Sequence, residues 1–234
     1  MDFDLIFETE VKEIIKHTEN VKSFRFERPL NFNFKAGQFM FVTITTGQEE
    51  MKKHFTISSS PTEVGYIEFT KKLTGHPYSN ALDSLKVGDW AKIDASYGNF
   101  TFEGEYDKIA ILTGGIGITP FRSICRYVID EKLETDIVLI YGNRTEQDIV
   151  FKDELEKMQN EKFTIIHTLE KPSQQWRGLH GFINEDMIKR EIPDYSKRIF
   201  YICGPPVMIN AIKKILENIG ISADNTKIEN FTGY

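Results

Sequence analysis

The sequence predicts two domains of different class: an N-terminal antiparallel β-barrel over 1–102 and a C-terminal α/β domain with a parallel sheet over 103–234. Three observations predict it. In the first half, short β-prone segments are punctuated by turn residues and interrupted by one helical piece. In the second half, apolar strand-like runs alternate with amphipathic helices, the pattern of a sheet covered on both faces. Where the halves meet, an apolar run at 109–112 enters Gly114, Gly115 and Gly117, and a helix opens at Thr119-Pro120.

The length of 234 residues accommodates two domains of about 100–130 residues each. Hydrophobic residues make up 40% and charged residues 27%, an ordinary globular balance, and the net charge of −6 offers no footprint for nucleic acid or anionic membranes. No apolar run approaches the about 20 residues of a spanning helix. The opening segment is acidic where a secretory signal would be basic, so the expectation is a cytoplasmic protein without membrane insertion or a nucleic-acid partner. Cys125 and Cys203 argue against a disulfide scaffold and cannot supply the ligand set of an iron–sulfur cluster. The five histidines show no zinc-site pairing at helical spacing, so no metal is expected.

The β-prone segments are 21–26, 38–45, 53–58, 66–71 and 90–95. Arg28-Pro29, Ala36-Gly37, Thr46-Gly47, Ser60-Pro61, Val64-Gly65 and Val87-Gly88-Asp89 separate them, and the helical piece spans about 79–85. In the second half the pairs are 109–112 with 120–130, 137–141 with 148–158, 163–168 with 184–189 and 198–203 with 206–219. A strand at 227–231 closes the chain. Phe121, Ile124, Cys125, Val128 and Ile129 recur at helical spacing. So do Met208, Ala211, Ile212, Ile215 and Ile219, with Gly220 placed as a C-terminal cap.

The strand, glycine turn and helix start at 109–122 form a phosphate-binding device. Thr113, Gly114, Gly115 and Gly117 let the backbone approach a diphosphate, and the helix start at Thr119 and Pro120 turns its N–H groups and dipole toward the anion. Pro120 stands where a third glycine would complete the dinucleotide fingerprint, and it suits a first helical turn. Asn143 and Arg144 follow the second strand of this half, the position that meets an adenosine ribose. Arg144 without an adjacent acid leans toward NADPH, while similar loops serve NADH, so both donors stay open.

Lys53-His54-Phe55-Thr56 lies in the β-rich half just ahead of this device. Here the sequence resembles the ferredoxin–NADP reductase superfamily, whose flavin motif is Arg-x-Tyr-Ser/Thr; Lys replaces Arg and Phe replaces Tyr. The resemblance implies Thr56 near the reactive edge of the isoalloxazine, Phe55 against the flavin and Lys53 toward the diphosphate, with His54 in the same segment. The stretch from Glu68 to Leu82 is similar to the family's second flavin element and brings Phe69, Thr70, Lys71, His76, Tyr78, Ser79 and Asn80 as candidates. One extra residue separates Gly75 from Ser79, which leaves Gly75 as a turn former. Val87-Gly88-Asp89 and Ser96-Tyr97-Gly98-Asn99-Phe100 look like the end of the family's barrel, with Ser96 in place of proline.

Cys203-Gly204-Pro205-Pro206-Val207-Met208 resembles the family's Cys-Gly-Pro-x-x-Met motif. The resemblance implies that Cys203 lies beside the nicotinamide C4 and positions the ring, while Gly204, Pro205 and Met208 shape its pocket. It also implies a flavin-stacking role for Tyr234, with Gly233 giving it freedom to swing. Together these motifs imply an FAD-dependent oxidoreductase that takes a hydride from NAD(P)H and passes electrons to a separate acceptor. The acceptor would be a ferredoxin, flavodoxin, haem protein or oxygenase component. Two alternatives are an electron-transfer subunit of a larger complex and a non-catalytic nucleotide-binding regulatory module, the second disfavoured by Cys203-Gly204-Pro205.

Overall fold

The computed structural model describes residues 5–47 and 49–230. They fall into two compact units. One holds the described residues up to Glu103 together with Thr119–Glu131; the other holds Gly104–Ile118 and the described residues from Lys132 onward.

The first unit is an antiparallel sheet of six strands: β1 (Leu5–Lys16), β2 (Val21–Glu27), β3 (Phe39–Thr46), β4 (Glu49–Thr56), β5 (Tyr66–Lys72) and β6 (Trp90–Tyr97). Their order is β4-β3-β6-β1-β2-β5, and an isolated bridge from Ile57 to Phe69 draws the outer strands β4 and β5 together. Inward-facing residues alternate along β6, where Ala91, Ile93 and Ala95 are buried. Phe24, Phe26, Met40, Val42, Ile44, Phe69 and Ile93 form the core with Leu82 of α1 (Pro77–Ser84). The predicted barrel class holds, but β1 escapes the sequence reading. Its twelve residues mix Glu and Lys with apolar side chains, and only Val11 is fully buried. It is a strand because it pairs with both β6 and β2. β4 also starts earlier than the segment 53–58 suggested, at Glu49, through its hairpin with β3.

The helix α2 (Thr119–Asp130) belongs by its contacts to this unit. Phe121, Ile124, Cys125 and Val128 are buried as the periodicity predicts. Arg122 and Ser123 are buried as well, for a polar reason. The Arg122 guanidinium donates to the Ser58 carbonyl at 3.0 Å and pairs with the Glu63 carboxylate, and Ser123 Oγ donates to the Ser59 carbonyl at 2.7 Å.

The second unit is a parallel sheet built from β7 (Lys108–Gly114), β8 (Asp136–Asn143), β9 (Phe163–Leu169), β10 (Leu179–His180), β11 (Ile199–Gly204) and β12 (Thr226–Asn230). Its order is β10-β9-β8-β7-β11-β12. Ala110, Leu112, Val138, Ile140, Phe200 and Ile202 pack against Ile188 and Ile192 around α4 (Glu185–Glu191) and against Ile209, Ile212 and Leu216 of α5 (Pro206–Asn218). The buried stripe of α5 therefore centres on Ile209, Ile212 and Leu216 rather than on Ala211, which is exposed. α3 (Lys152–Met158) is shorter than the predicted 148–158. Phe151 takes a left-handed φ of 59°, and the Asp148 carboxylate turns back to accept from Thr145 Oγ1 at 2.7 Å, so the chain breaks before the helix. β10 is a two-residue strand that no local pattern announces. None of the described helices is long and apolar enough to cross a membrane.

Candidate functional site

On the first unit, Lys53 and His54 are exposed on β4, and the half-buried Phe55 turns inward. Its ring stacks 4.3 Å from Phe69 and lies 5.6 Å from Tyr78. His54 sits on the opposite sheet face, edge-on to Phe39 and Phe41 at 5.7 and 5.9 Å. Thr56 is buried at the end of β4, opposite Phe39. Tyr78 Oη donates to the Val42 carbonyl at 2.8 Å, so this hydroxyl is occupied within the barrel.

The start of α1 is prepared from several sides. Gly75 has a φ of 75°, which favours glycine, in keeping with a turn former. Asn80 Nδ2 donates to the Gly75 carbonyl at 2.9 Å, and the Thr74 N–H donates to Ser79 Oγ at 2.8 Å. His76 caps the helix without a side-chain hydrogen bond. Lys71 is lowered from its ordinary pKa by burial and by the neighbouring Lys72. An anion beside Lys71 would relieve that repulsion.

The sequence reading missed what holds the chain as it leaves Lys53–Thr56. Ser58 Oγ donates to the buried Glu68 carboxylate at 2.8 Å, and Arg25 Nε donates to its other oxygen at 2.8 Å. Thr70 Oγ1 lies 2.9 Å from Ser58 Oγ and 2.6 Å from Ser23 Oγ, which in turn lies 2.7 Å from His17 Nε2. The available signal was an acid, Glu68, set between the apolar Ile67 and Phe69.

On the second unit, a register row crosses the carboxyl end of five parallel strands. Glu229 stands beside Cys203, Cys203 beside Thr113, Thr113 beside Tyr141 and Tyr141 beside His167. Neighbours in register share a sheet face. Thr113 Oγ1 donates to the Cys203 carbonyl at 2.8 Å, and Tyr141 Oη donates to the Gly115 carbonyl at 2.9 Å. These two bonds tie β7, β11, β8 and the glycine turn into one scaffold.

The turn is a tight 3-10 segment, Gly115–Ile118, running directly into Thr119 and Pro120, both buried. A Cβ on Gly117 would stand 2.5 Å from the Cys203 carbonyl oxygen, and one on Gly114 would stand 2.6 Å from Met208 Sδ. At Gly117 the neighbours are backbone and close approach requires glycine; at Gly114 the neighbour is the flexible end of Met208. Gly115 has a φ of 54°.

Cys203 is buried, and its thiol is pushed well up by that burial and by Glu229. It stays protonated at neutral pH, a poor nucleophile. Burial raises Glu229 to about 7, and its Oε2 has no hydrogen-bond partner among the described residues. Asn143 is only 5% exposed, and neither atom of its amide is hydrogen-bonded among the described residues. Arg144 is exposed beside it; Pro205 caps α5, and Met208 sits in its first turn. Orphaned polar atoms on β8 and β12, on either side of the strand that carries the glycine turn, are what a bound polar ligand would satisfy. Glu229 lay inside the predicted closing strand without being singled out. Tyr234 lies outside the described residues.

An antiparallel barrel sheet followed by a parallel sheet with a glycine turn at its carboxyl edge is a two-domain architecture of the kind that holds a flavin and a dinucleotide. Residues 8–102 match the model of the oxidoreductase FAD-binding domain, and residues 111–214 match that of the oxidoreductase NAD-binding domain. The chain belongs to the ferredoxin–NADP reductase superfamily.

It is 33% identical over 225 residues to NADH-cytochrome b5 reductase 1 of Aspergillus terreus, covering 89% of this chain and 75% of that protein. It is 30% identical over 229 residues to the glycine betaine monooxygenase reductase subunit of Chromohalobacter salexigens, covering 94% of this chain but 62% of the relative. The chain thus spans about three-fifths of the length of that relative. Among solved structures, the cytochrome b5 reductase domain of Ulva prolifera nitrate reductase superposes with a TM-score of 0.84 at 25% identity, covering 96% of this chain and 97% of that one.

Proposed function

We propose that this chain takes a hydride from NAD(P)H onto FAD and passes the electrons to a separate acceptor, an oxygenase component or a small electron carrier such as a ferredoxin, flavodoxin or haem protein. The observation that carries the reading is the row Glu229–Cys203–Thr113 beside a glycine turn with no room for a Cβ at Gly117. When bound, the flavin supplies the conversion between two-electron and one-electron chemistry. The protein's share is binding, orientation and control of protons.

In this reading Lys53, Lys71, His76, Ser79 and Asn80 hold the FAD diphosphate. Phe55 and Phe69, backed by Tyr78, provide the aromatic floor, and Thr56, with His54 and Thr70 nearby, lines the isoalloxazine edge. Gly114, Gly115, Gly117, Thr119 and Pro120 receive the dinucleotide diphosphate, and Asn143 and Arg144 receive the adenosine ribose. Cys203, Gly204, Pro205 and Met208 shape the nicotinamide pocket, Cys203 as a neutral thiol that orients the ring. Tyr234 is the proposed aromatic lid.

A second reading, the electron-transfer subunit of a larger assembly, is supported by the name of the Chromohalobacter relative, a reductase subunit. A cytoplasmic setting accords with two buried free thiols. Anaerobic visible spectra, before and after NADH or NADPH, test the proposal. A yellow protein bleached by one donor is the expected result, and purified acceptors then separate the two readings by turnover. A protein that takes up no FAD on reconstitution would overturn it.

A further inference from the structure

Of the described methionines, Met40, Met158 and Met187 are 0%, 7% and 6% exposed, whereas Met51 and Met208 are half-buried. Met208 has an unusual seat. Its Sδ rests against two glycines of the candidate nicotinamide pocket, so close that a Cβ on Gly114 would stand 2.6 Å away and one on Gly204 3.2 Å away. A thioether is soft, apolar and flexible, and it fits over bare glycine backbone. A sulfoxide is polar and chiral and needs both volume and a hydrogen-bond donor. The Cα faces of Gly114 and Gly204 offer neither.

We propose that Met208 is an oxidation site through which peroxide weakens dinucleotide binding. The inference rests on the functional reading above, because the oxidant is hydrogen peroxide, formed when dioxygen, in place of the acceptor, takes two electrons and two protons from the reduced flavin. The step balances: the Met208 sulfur gains the oxygen of one peroxide, the O–O bond breaks, and water leaves. The thioether is oxidised by two electrons and the peroxide is reduced by two. The oxidised side chain cannot keep its seat on Gly114 and Gly204, and it displaces toward the pocket that Cys203, Gly204 and Pro205 outline. Electron leakage would then lower the protein's own demand for NAD(P)H, and a methionine sulfoxide reductase would restore it.

The test treats the FAD-loaded protein with added hydrogen peroxide and, separately, lets it turn over NAD(P)H in air without an acceptor. Peptide mass spectrometry locates the sulfoxides, and titration of NADH and NADPH fluorescence reads the affinity. The expected result is sulfoxide at Met208 ahead of Met40, Met158 and Met187, about tenfold or greater loss of dinucleotide affinity from an unpartnered polar group in the pocket, an unchanged flavin spectrum, and recovery with methionine sulfoxide reductases. In Met208→Leu, peroxide should no longer lower affinity relative to that variant's own starting value, while Met51→Leu should remain as sensitive as the parent. Full conversion of Met208 with unchanged affinity, or equal peroxide sensitivity in Met208→Leu, would overturn the proposal. The added-peroxide arm reads Met208 even if the protein fails to turn over, which separates this inference from the functional reading.

Discussion

Glu229 and Cys203 stand side by side in register on adjacent parallel strands, and neither is charged at mildly acidic pH. Burial raises the Glu229 carboxyl from 4.5 to about 7. The folded protein therefore holds a proton that the unfolded chain releases above about pH 4.5. Stability associated with this group is fully present below that pH and is lost as the pH rises through about 7. Glu229→Gln should match the parent near pH 4 and exceed it by about 2–3 kcal/mol above pH 7, from the size of the shift. Urea denaturation at the two pH values checks this, and equal pH slopes for parent and variant would contradict it. A neutral Glu229 is also a hydrogen-bond donor, so parental NAD(P)H affinity should fall across the same pH window while the Gln variant's stays flat.

Gly117→Ala tests the glycine turn. The new Cβ would meet the Cys203 carbonyl oxygen at 2.5 Å and Gly204 Cα at 2.8 Å, both backbone atoms with little freedom to give. Overpacking of this kind costs about 1–3 kcal/mol. The expected result is a lowered melting temperature and a KM for NAD(P)H raised about tenfold or more if the cost falls on the binding geometry, with FAD uptake retained. An alanine variant with parental stability and KM would show that the turn tolerates a side chain.

The pairing of Arg122 with Glu63 tests how α2 is held. Burial raises the Glu63 carboxyl, and hydrogen bonds from Arg122, Tyr66 and the Ser60 N–H more than offset this, leaving it below its ordinary value. Arg122→Met strands that carboxylate and should cost about 3–5 kcal/mol, the usual result of removing one partner of a buried pair. Adding Glu63→Gln to it should cost less than the sum of the single changes, with a coupling of about 1 kcal/mol or more by double-mutant cycle. Strict additivity would mean that the two groups act independently. The Glu63 contribution should also fade as the pH falls through its depressed folded value.

Local patterns made much of this protein legible. The alternation of strand and helix from Ile109 onward, the glycines at 114, 115 and 117, and the buried stripe of α2 follow from spacing that a short window contains. The class of both domains was readable for the same reason, and the resemblance at Lys53–Thr56 pointed to the same ligand class as the FAD-binding family model over residues 8–102. The start of α3 was misjudged because Asp148 bonds back to Thr145, and a side-chain hydrogen bond of that kind leaves no trace in hydrophobic periodicity.

Tertiary structure decided the rest. β1 carries a charged, half-exposed pattern, and only pairing with β2 and β6 makes it a strand. Glu229, Cys203, Thr113, Tyr141 and His167 are scattered over 117 positions, from 113 to 229, and become one row only through strand register. Glu68 and Arg122 look like ordinary charges until the turn at Ser58 and Ser59 covers them. The sequence by itself determined the two domain classes and the glycine turn, because those depend on neighbours along the chain. The burial that raises Glu229, the missing space at Gly117 and the seat of Met208 depend on neighbours in space, and folding alone supplies those.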